Sequence, residues 1–209
     1  MKGAAAVLAF SCALLQGCEL ALLGAGGAMA YTAIEDRRST GTQLDDEAIG
    51  RRASVRIEER LGNQVHVNIT VYNRAVLLTG EVPNDAIRTE IERLVLAVPN
   101  VRGATNELQL SGASSVGART NDSYLTSKVK ARFLEAKRFK PVHVKVVTES
   151  GVVYLLGVVT DREAEEAADI ARTTGGVRKV VKIFEYCKSS DEVCRPQAPY
   201  SGARTKPSA

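Results

Sequence analysis

Few residues in this chain have the type and spacing to do chemistry. Two histidines, His66 and His143, stand at matching places in Val65-His66-Val67 and Val142-His143-Val144. A repeated imidazole suggests a metal ligand, yet neither has a Cys or a second His at ligand spacing. Both therefore read as solvent-facing strand residues. Asp45-Asp46-Glu47 offers paired carboxylates, but an acidic run ahead of an apolar-periodic stretch is a helix start. Gly24-Ala25-Gly26-Gly27 lacks the preceding strand and third spaced glycine of a dinucleotide loop. Gly112-Ala113-Ser114-Ser115-Val116-Gly117 misses the spacing of a nucleophile elbow. Cys187 and Cys194 would close a small loop, as a disulfide in an oxidising compartment or as two free thiols. With no nearby His or second C-x-x-C they make poor zinc ligands. No metal, no cofactor and no catalytic residue is expected, and the chain does not read as an enzyme.

Cys18 has a different prospect. Met1-Lys2 is a short positive start, and Ala4 to Leu15 is apolar except for Ser11. That run fits a signal-peptide core and is too short to span a bilayer. It ends in Leu15-Gln16-Gly17-Cys18, which resembles a bacterial lipobox: aliphatic at −3, small at −1, then the Cys whose thiol carries the lipid once cleavage exposes it. Gln16 is less usual at −2 than Ala or Ser. The alternative is an uncleaved transmembrane helix from Ala4 to about Ala30. It would hold Glu19 near the bilayer centre, at about 2.5–3.5 kcal/mol, and carry the helix-weakening Gly24, Gly26 and Gly27. The expected division is a signal peptide over 1–17 and a lipidated Cys with linker over 18–45.

Composition narrows the classes further. The 209 residues hold 28 Lys+Arg against 24 Asp+Glu, and 44% are hydrophobic, which excludes wholesale disorder. A net charge of +4 is too slight to mark a nucleic-acid binder, and no Trp is present to build a stacking platform. No nucleic-acid partner is expected.

The elements that must position any site are written twice. Val65 to Val71 is answered by Val142 to Thr148, and Val76-Leu77-Leu78-Thr79-Gly80-Glu81-Val82 by Val153-Tyr154-Leu155-Leu156-Gly157-Val158-Val159, at one offset of 77. Two units are expected, 46–110 and 121–186, joined by a Ser/Gly-rich linker over 111–120 and followed by a disordered tail over 187–209. Each reads helix, strand, strand, helix, strand. The first helices are expected to start after Asp45/Asp46 and Asn121/Asp122 as N-caps, with Ile49, Ala53, Ile57 and Leu61, then Leu125, Val129 and Phe133, facing inward. Hairpins turn at Tyr72-Asn73-Arg74 and Glu149-Ser150-Gly151, second helices begin near Asn84 and Asp161, and third strands follow Val101 and Val177. The class is α+β: two tandem αββαβ modules, each a three-stranded mixed sheet packed against two helices.

This order, with the hairpin's Val/Leu-x-Leu-x-Gly-x-Val, resembles the BON domain (bacterial OsmY and nodulation domain), and Gly80 and Gly157 match its signature glycine. A lipobox, a Gly/Ala-rich spacer and two such units are similar to the dual-BON outer-membrane lipoproteins. The resemblance implies a periplasm-facing outer-membrane lipoprotein that binds anionic phospholipid (phosphatidylglycerol, cardiolipin), supports envelope integrity and gathers at division sites. In that family lipid binding falls on the first helix of the second unit. The carry-over reaches Tyr124, Lys128 and their neighbours, although the position of Tyr124 often holds Trp there.

Charge supports the same helix. Unit one nets −1 and unit two +3, with Lys128, Lys130, Arg132, Lys137, Arg138, Lys140 and Lys145 set against the single acid Glu135. At about 100° per residue, Tyr124, Ser127, Ala131 and Leu134 face outward with Lys128 and Lys130 on their flanks. An aromatic at the start, a leucine near the end and flanking lysines suit an interfacial helix. Three or four bases near an anionic surface supply roughly 3–4 kcal/mol, too little for stable anchoring without acyl chains. Two alternatives stand beside this reading. One is an ordinary solvated basic face. The other is a periplasmic protein-binding scaffold or chaperone-like module, in which the basic helix meets an acidic envelope protein.

Overall fold

The computed structural model describes residues 36–111 and 116–194, and both repeats belong to one compact unit that begins at Arg37. The expected signal peptide, Cys18, the linker through residue 35, Gly112 to Ser115 and the chain after Cys194 lie outside the described residues.

The first helix, α1, runs Thr40–Leu61. Its N-cap is Ser39, whose hydroxyl accepts from the Thr42 N–H, so it starts ahead of the expected Asp45/Asp46 caps. Asp46 serves elsewhere. Buried on the inner side of α1, its carboxylate accepts the backbone N–H groups of Asn73 at 2.8 Å and Arg74 at 2.7 Å. These two turn residues join strands β1 (His66–Tyr72) and β2 (Ala75–Val82), and both have positive φ. A two-residue hairpin needs that backbone to match strand twist, and Asp46 holds it in place. The second repeat uses the same device. Asp122 accepts from Ser150 and Gly151, each at 2.8 Å, in the turn between β5 (Lys145–Glu149) and β6 (Val152–Val159). It too lies inside a helix, α3 (Val116–Ala136), which extends into the expected linker.

The apolar stripes fall where their spacing places them. Ile49, Ala53 and Ile57 are buried with Leu61 packed beside them, as are Leu125, Val129 and Phe133. Helix α2 (Asp85–Leu96) is capped by Asn84, and α4 (Asp161–Arg172) opens with a capping box between Thr160 and Glu163. The third strands differ between repeats. In the second, β7 (Lys179–Tyr186) runs parallel to β6 along its whole length. In the first the strand breaks into β3 (Gly103–Asn106) and β4 (Gln109–Leu110), both parallel to β2, making four strands where three were expected. Between them Leu108 turns into the core.

Gly80 and Gly157 are needed for the same steric reason. A Cβ at Gly80, whose φ is +115°, would lie 2.1 Å from the His66 carbonyl oxygen, and one at Gly157 would lie 2.4 Å from that of His143. No side chain fits against backbone at those distances.

Helices cover one face of each sheet, and the two domains cover each other's remaining face. Tyr72 and Leu77 of the first meet Tyr154, Leu156 and Val158 of the second in one apolar layer, which Cys194 also enters. Fully burying side chains of this size is worth roughly 1.5–3 kcal/mol each, and the layer covers the second face of β2 and β6, while β4 and Lys179, Lys182, Glu185 and Tyr186 of β7 stay exposed. Polar bonds rim the layer. Asn68 donates to Glu149 at 2.8 Å, and Asn73 and Arg102 donate to Glu185 at 2.6 and 2.9 Å. The Tyr154 hydroxyl donates to Glu107 at 3.4 Å; burial pushes its phenol pKa up, and the nearby Glu107 and Glu149 charges add to this.

Candidate functional site

With the central strands β2 and β6 covered on both faces, the helices carry much of the accessible surface. Helix α3 is held from beneath by Asp122 on the hairpin turn and by Phe133, whose ring meets Phe139 edge-on at 5.0 Å. Its opposite side presents Tyr124, 62% exposed, and Leu134, 65% exposed, with Ser127, Lys130 and Ala131 also in solvent. Neither side chain joins a buried core cluster.

The bases on this helix divide into two kinds. Arg132 donates through Nη1 to the Ile170 carbonyl oxygen at 2.7 Å and to the hydroxyls of Thr173 and Thr174 at 3.1 and 2.8 Å. Those groups form the C-terminal end of α4, where unpaired carbonyls favour a cation. Lys128 is half-buried and donates to the Gly175 carbonyl oxygen at 3.0 Å, with its ammonium 5.9 Å from the centre of the Tyr124 ring. Arg132 and Lys128 therefore tie α3 to the end of α4, and Arg132 has its guanidinium turned away from the expected contact surface. Lys130, Lys137 and Arg138 are exposed. Between the two helices lies a shallow cleft of about 270 Å³, lined by Arg132, Arg138, Glu135 and Asp169 among others. Its charges are mixed, which suits no single anion.

The histidines do not share the solvent-facing strand position expected of them. His66 begins β1 and its Nδ1 lies 2.8 Å from Glu81. His143 is buried in a 3-10 turn, Pro141–His143, ahead of β5, with its Nδ1 3.2 Å from Glu163. The turn forms because Pro141 presets its first φ, and this carries the imidazole under the start of α4. Among the described residues no group of three or more His, Cys, Asp or Glu converges on a metal-sized site.

Glu163 gathers more partners than the sequence indicated. Its Oε2 accepts from the Thr160 N–H at 2.9 Å and the Thr160 hydroxyl at 3.0 Å. Arg37, 126 positions earlier, donates to both carboxylate oxygens at 2.7 and 3.0 Å and to the Val158 carbonyl oxygen at 2.8 Å. Burial pushes the Glu163 carboxyl up, but the bonds from His143, Arg37 and Thr160 outweigh it and hold the group well below the usual carboxylate range. The capping box was readable as Thr160-x-x-Glu163; the Arg37 contact had no local signal.

Cys187 and Cys194 are joined in a disulfide with their Cα atoms 6.2 Å apart. Residues 187–194, expected to open a disordered tail, instead fold back through a 3-10 turn at Glu192–Cys194, because Cys194 buries itself in the layer between the domains. Among the described residues no helix is long and apolar enough to cross a membrane.

Comparison with known proteins agrees with this architecture. The model of the BON domain matches residues 47–112 and again 121–188. The chain is 40% identical over 183 residues, 87% of this chain and 94% of the relative, to a Haemophilus influenzae protein named outer membrane lipoprotein DolP. It is 33% identical to the 21 kDa hemolysin of Actinobacillus pleuropneumoniae, covering 75% of this chain and 81% of that one. It is 28% identical to osmotically-inducible protein Y of Escherichia coli, covering 67% and 72%.

Proposed function

Because the chain belongs to the BON-domain family, with two BON domains in tandem, we propose that it is a non-catalytic outer-membrane lipoprotein whose second domain binds anionic phospholipid through α3. The Haemophilus relative, alike over nearly its whole length, supports the location, and the Leu15-Gln16-Gly17-Cys18 run supports an acyl anchor on Cys18. The body then faces the periplasm, and its roles are envelope integrity and presence at division sites, as the likeness to dual-BON lipoproteins implies.

The observation that carries the lipid reading is the outer side of α3. Tyr124 and Leu134 are about two-thirds exposed, with Lys130 beside them and Lys137 and Arg138 just beyond. The phenol and leucine would enter the headgroup boundary while the cations meet phosphates. Lys130, Lys137 and Arg138 supply roughly 3 kcal/mol at an anionic leaflet, so the acyl chains provide residence and the helix provides choice of lipid. Arg132 acts by holding α3, and Lys128 does so in part. Flotation of the protein with vesicles tests this. Binding should rise with phosphatidylglycerol or cardiolipin and fall with salt; equal binding to neutral vesicles at low salt would refute it.

A second reading, a protein-binding scaffold, has its own observation. Leu44 and Val55, eleven positions apart and so on one side of α1, are 63% and 51% exposed. Crosslinking from Val55 in intact cells to one stoichiometric protein, with vesicle binding absent, would favour it.

A further inference from the structure

We propose that Arg37 fastens the membrane tether to the second domain, so that the lipid anchor and the exposed side of α3 are presented together; this rests on the lipid reading above. By sequence the tether belongs to the first domain, since only Arg38 and Ser39 separate Arg37 from α1. By contacts it belongs to the second. Arg37 grips Glu163 with both arms of its guanidinium and the Val158 carbonyl oxygen with one, and the two side chains are 8% and 9% exposed. Its neighbour turns the other way. Arg38 pairs with Asp46 at 2.7 Å and lies 4.2 Å over the Tyr72 ring, both in the first domain. Two consecutive arginines thus strap the domains at the point where the tether enters.

The receptor exists in one repeat only. The place of Glu163, third residue of α4, is taken in α2 by Ile87. The strap can fasten to the second domain and has no acid to fasten to at the matching place in the first. A buried ion pair is a poor source of net stability, and apolar replacements often do as well. What a bidentate pair fixes is direction.

The direction is the informative part. Glu163 opens α4, Val158 lies near the end of β6, and Glu163 also meets His143 in the turn that follows α3 and Lys137-Arg138-Phe139-Lys140. Arg37, where the tether enters, therefore lies at the end of the second domain where α3 finishes. Residues 19–36 separate Cys18 from that point and span at most roughly 65 Å at full stretch. A domain of this size is about 25–35 Å across. That limit exceeds the width of one domain, so the exit point biases, without dictating, which helix meets the leaflet at high effective concentration.

The chain has no Trp, so one introduced indole reports alone. The full lipidated protein carrying Tyr124→Trp, or Val55→Trp on α1, would be reconstituted into phosphatidylglycerol-containing vesicles with brominated acyl chains. The indole at 124 should be strongly quenched and the one at 55 weakly. Arg37→Gln should cut quenching at 124 about three-fold and bring the two positions together, with circular dichroism unchanged. Inserting a twenty-residue Gly/Ser segment ahead of Arg37 leaves the fold untouched and should narrow the same gap, which covers the case in which Arg37→Gln does not fold. Quenching at 124 that is indifferent to both changes overturns the strap and leaves the lipid reading standing. No quenching at 124 in the parent protein overturns the lipid reading, and the strap with it.

Discussion

Arg132 on α3 donates to the Ile170 carbonyl oxygen near the end of α4 at 2.7 Å, so a base from the most cationic stretch of the chain is committed to the protein itself. The neighbouring bonds to Thr173 and Thr174 make the same guanidinium a cap for α4. Arg132→Ala should therefore cost about 1.5–3 kcal/mol of stability, the range for a charged hydrogen bond whose partners lose it. Vesicle binding per folded molecule should hardly change. Lys130→Glu should do the reverse, weakening binding to anionic vesicles several-fold with the urea midpoint in place. If both variants lose lipid in proportion to stability, the division of bases is wrong.

The glycines give a sharper steric test. At Gly80 an added methyl meets the His66 carbonyl oxygen at 2.1 Å, and φ is already +115°. Backbone must move, and β1 is the edge that moves. Gly80→Ala should cost on the order of 3 kcal/mol or more, through strain and displaced packing together. Gly103, where a Cβ would meet nothing within 4 Å, is the control, and Gly103→Ala should be close to neutral. Thermal melts of the two variants side by side decide it.

The disulfide closes a loop of eight residues, 187 to 194, and places Cys194 in the layer between the domains. Loop-closure entropy for that length is worth about 2.5 kcal/mol. Replacing both cysteines with serine should cost that much and a further amount for a hydroxyl in an apolar site. Reduction alone should cost less than the double substitution. Urea unfolding with and without reductant separates the two contributions.

How far the sequence disclosed this molecule follows from the range of its signals. Periodicity gave the repeat, the helix stripes and the hairpins, because those depend on neighbours within a few residues. Val153 to Val159 in β6 does not alternate, and the strand is buried on both faces, one by its helices and one by the first domain. An uninterrupted apolar run is the mark of a strand covered twice. Asp46 and Asp122 misled because an acid near a helix start resembles a cap, while Ser39 also satisfies that role and the hairpin turns need a carboxylate beneath them. The outward side of α3 followed from helical spacing. Which of its bases were engaged did not, since Gly175 and Ile170 lie 47 and 38 positions away. Arg37 and Glu163 are farther apart still, and no local pattern pairs them.

That pair also sets an acid limit on the fold. The Glu163 carboxyl is held well below its ordinary value of 4.5: burial opposes this, and the bonds from His143, Arg37 and Thr160 prevail. A carboxyl depressed in the folded state contributes stability at pH above its ordinary value, and that contribution is lost as pH falls toward the folded value. Below about pH 4.5 the unfolded chain takes up a proton at this position that the folded chain resists. The urea midpoint of the wild-type protein should therefore drop from pH 5 to pH 3. Glu163→Gln cannot titrate and leaves the Arg37 charge buried without its partner, so it should be less stable by about 3–5 kcal/mol at pH 7. As pH falls below 4.5 the unfolded wild-type chain is stabilised by protonation at this position while Glu163→Gln is not, so the gap between the two proteins should narrow. A gap of constant size from pH 7 to pH 3 would mean that Glu163 does not carry the ionic contact drawn for it, and that the tether is held by Val158 alone.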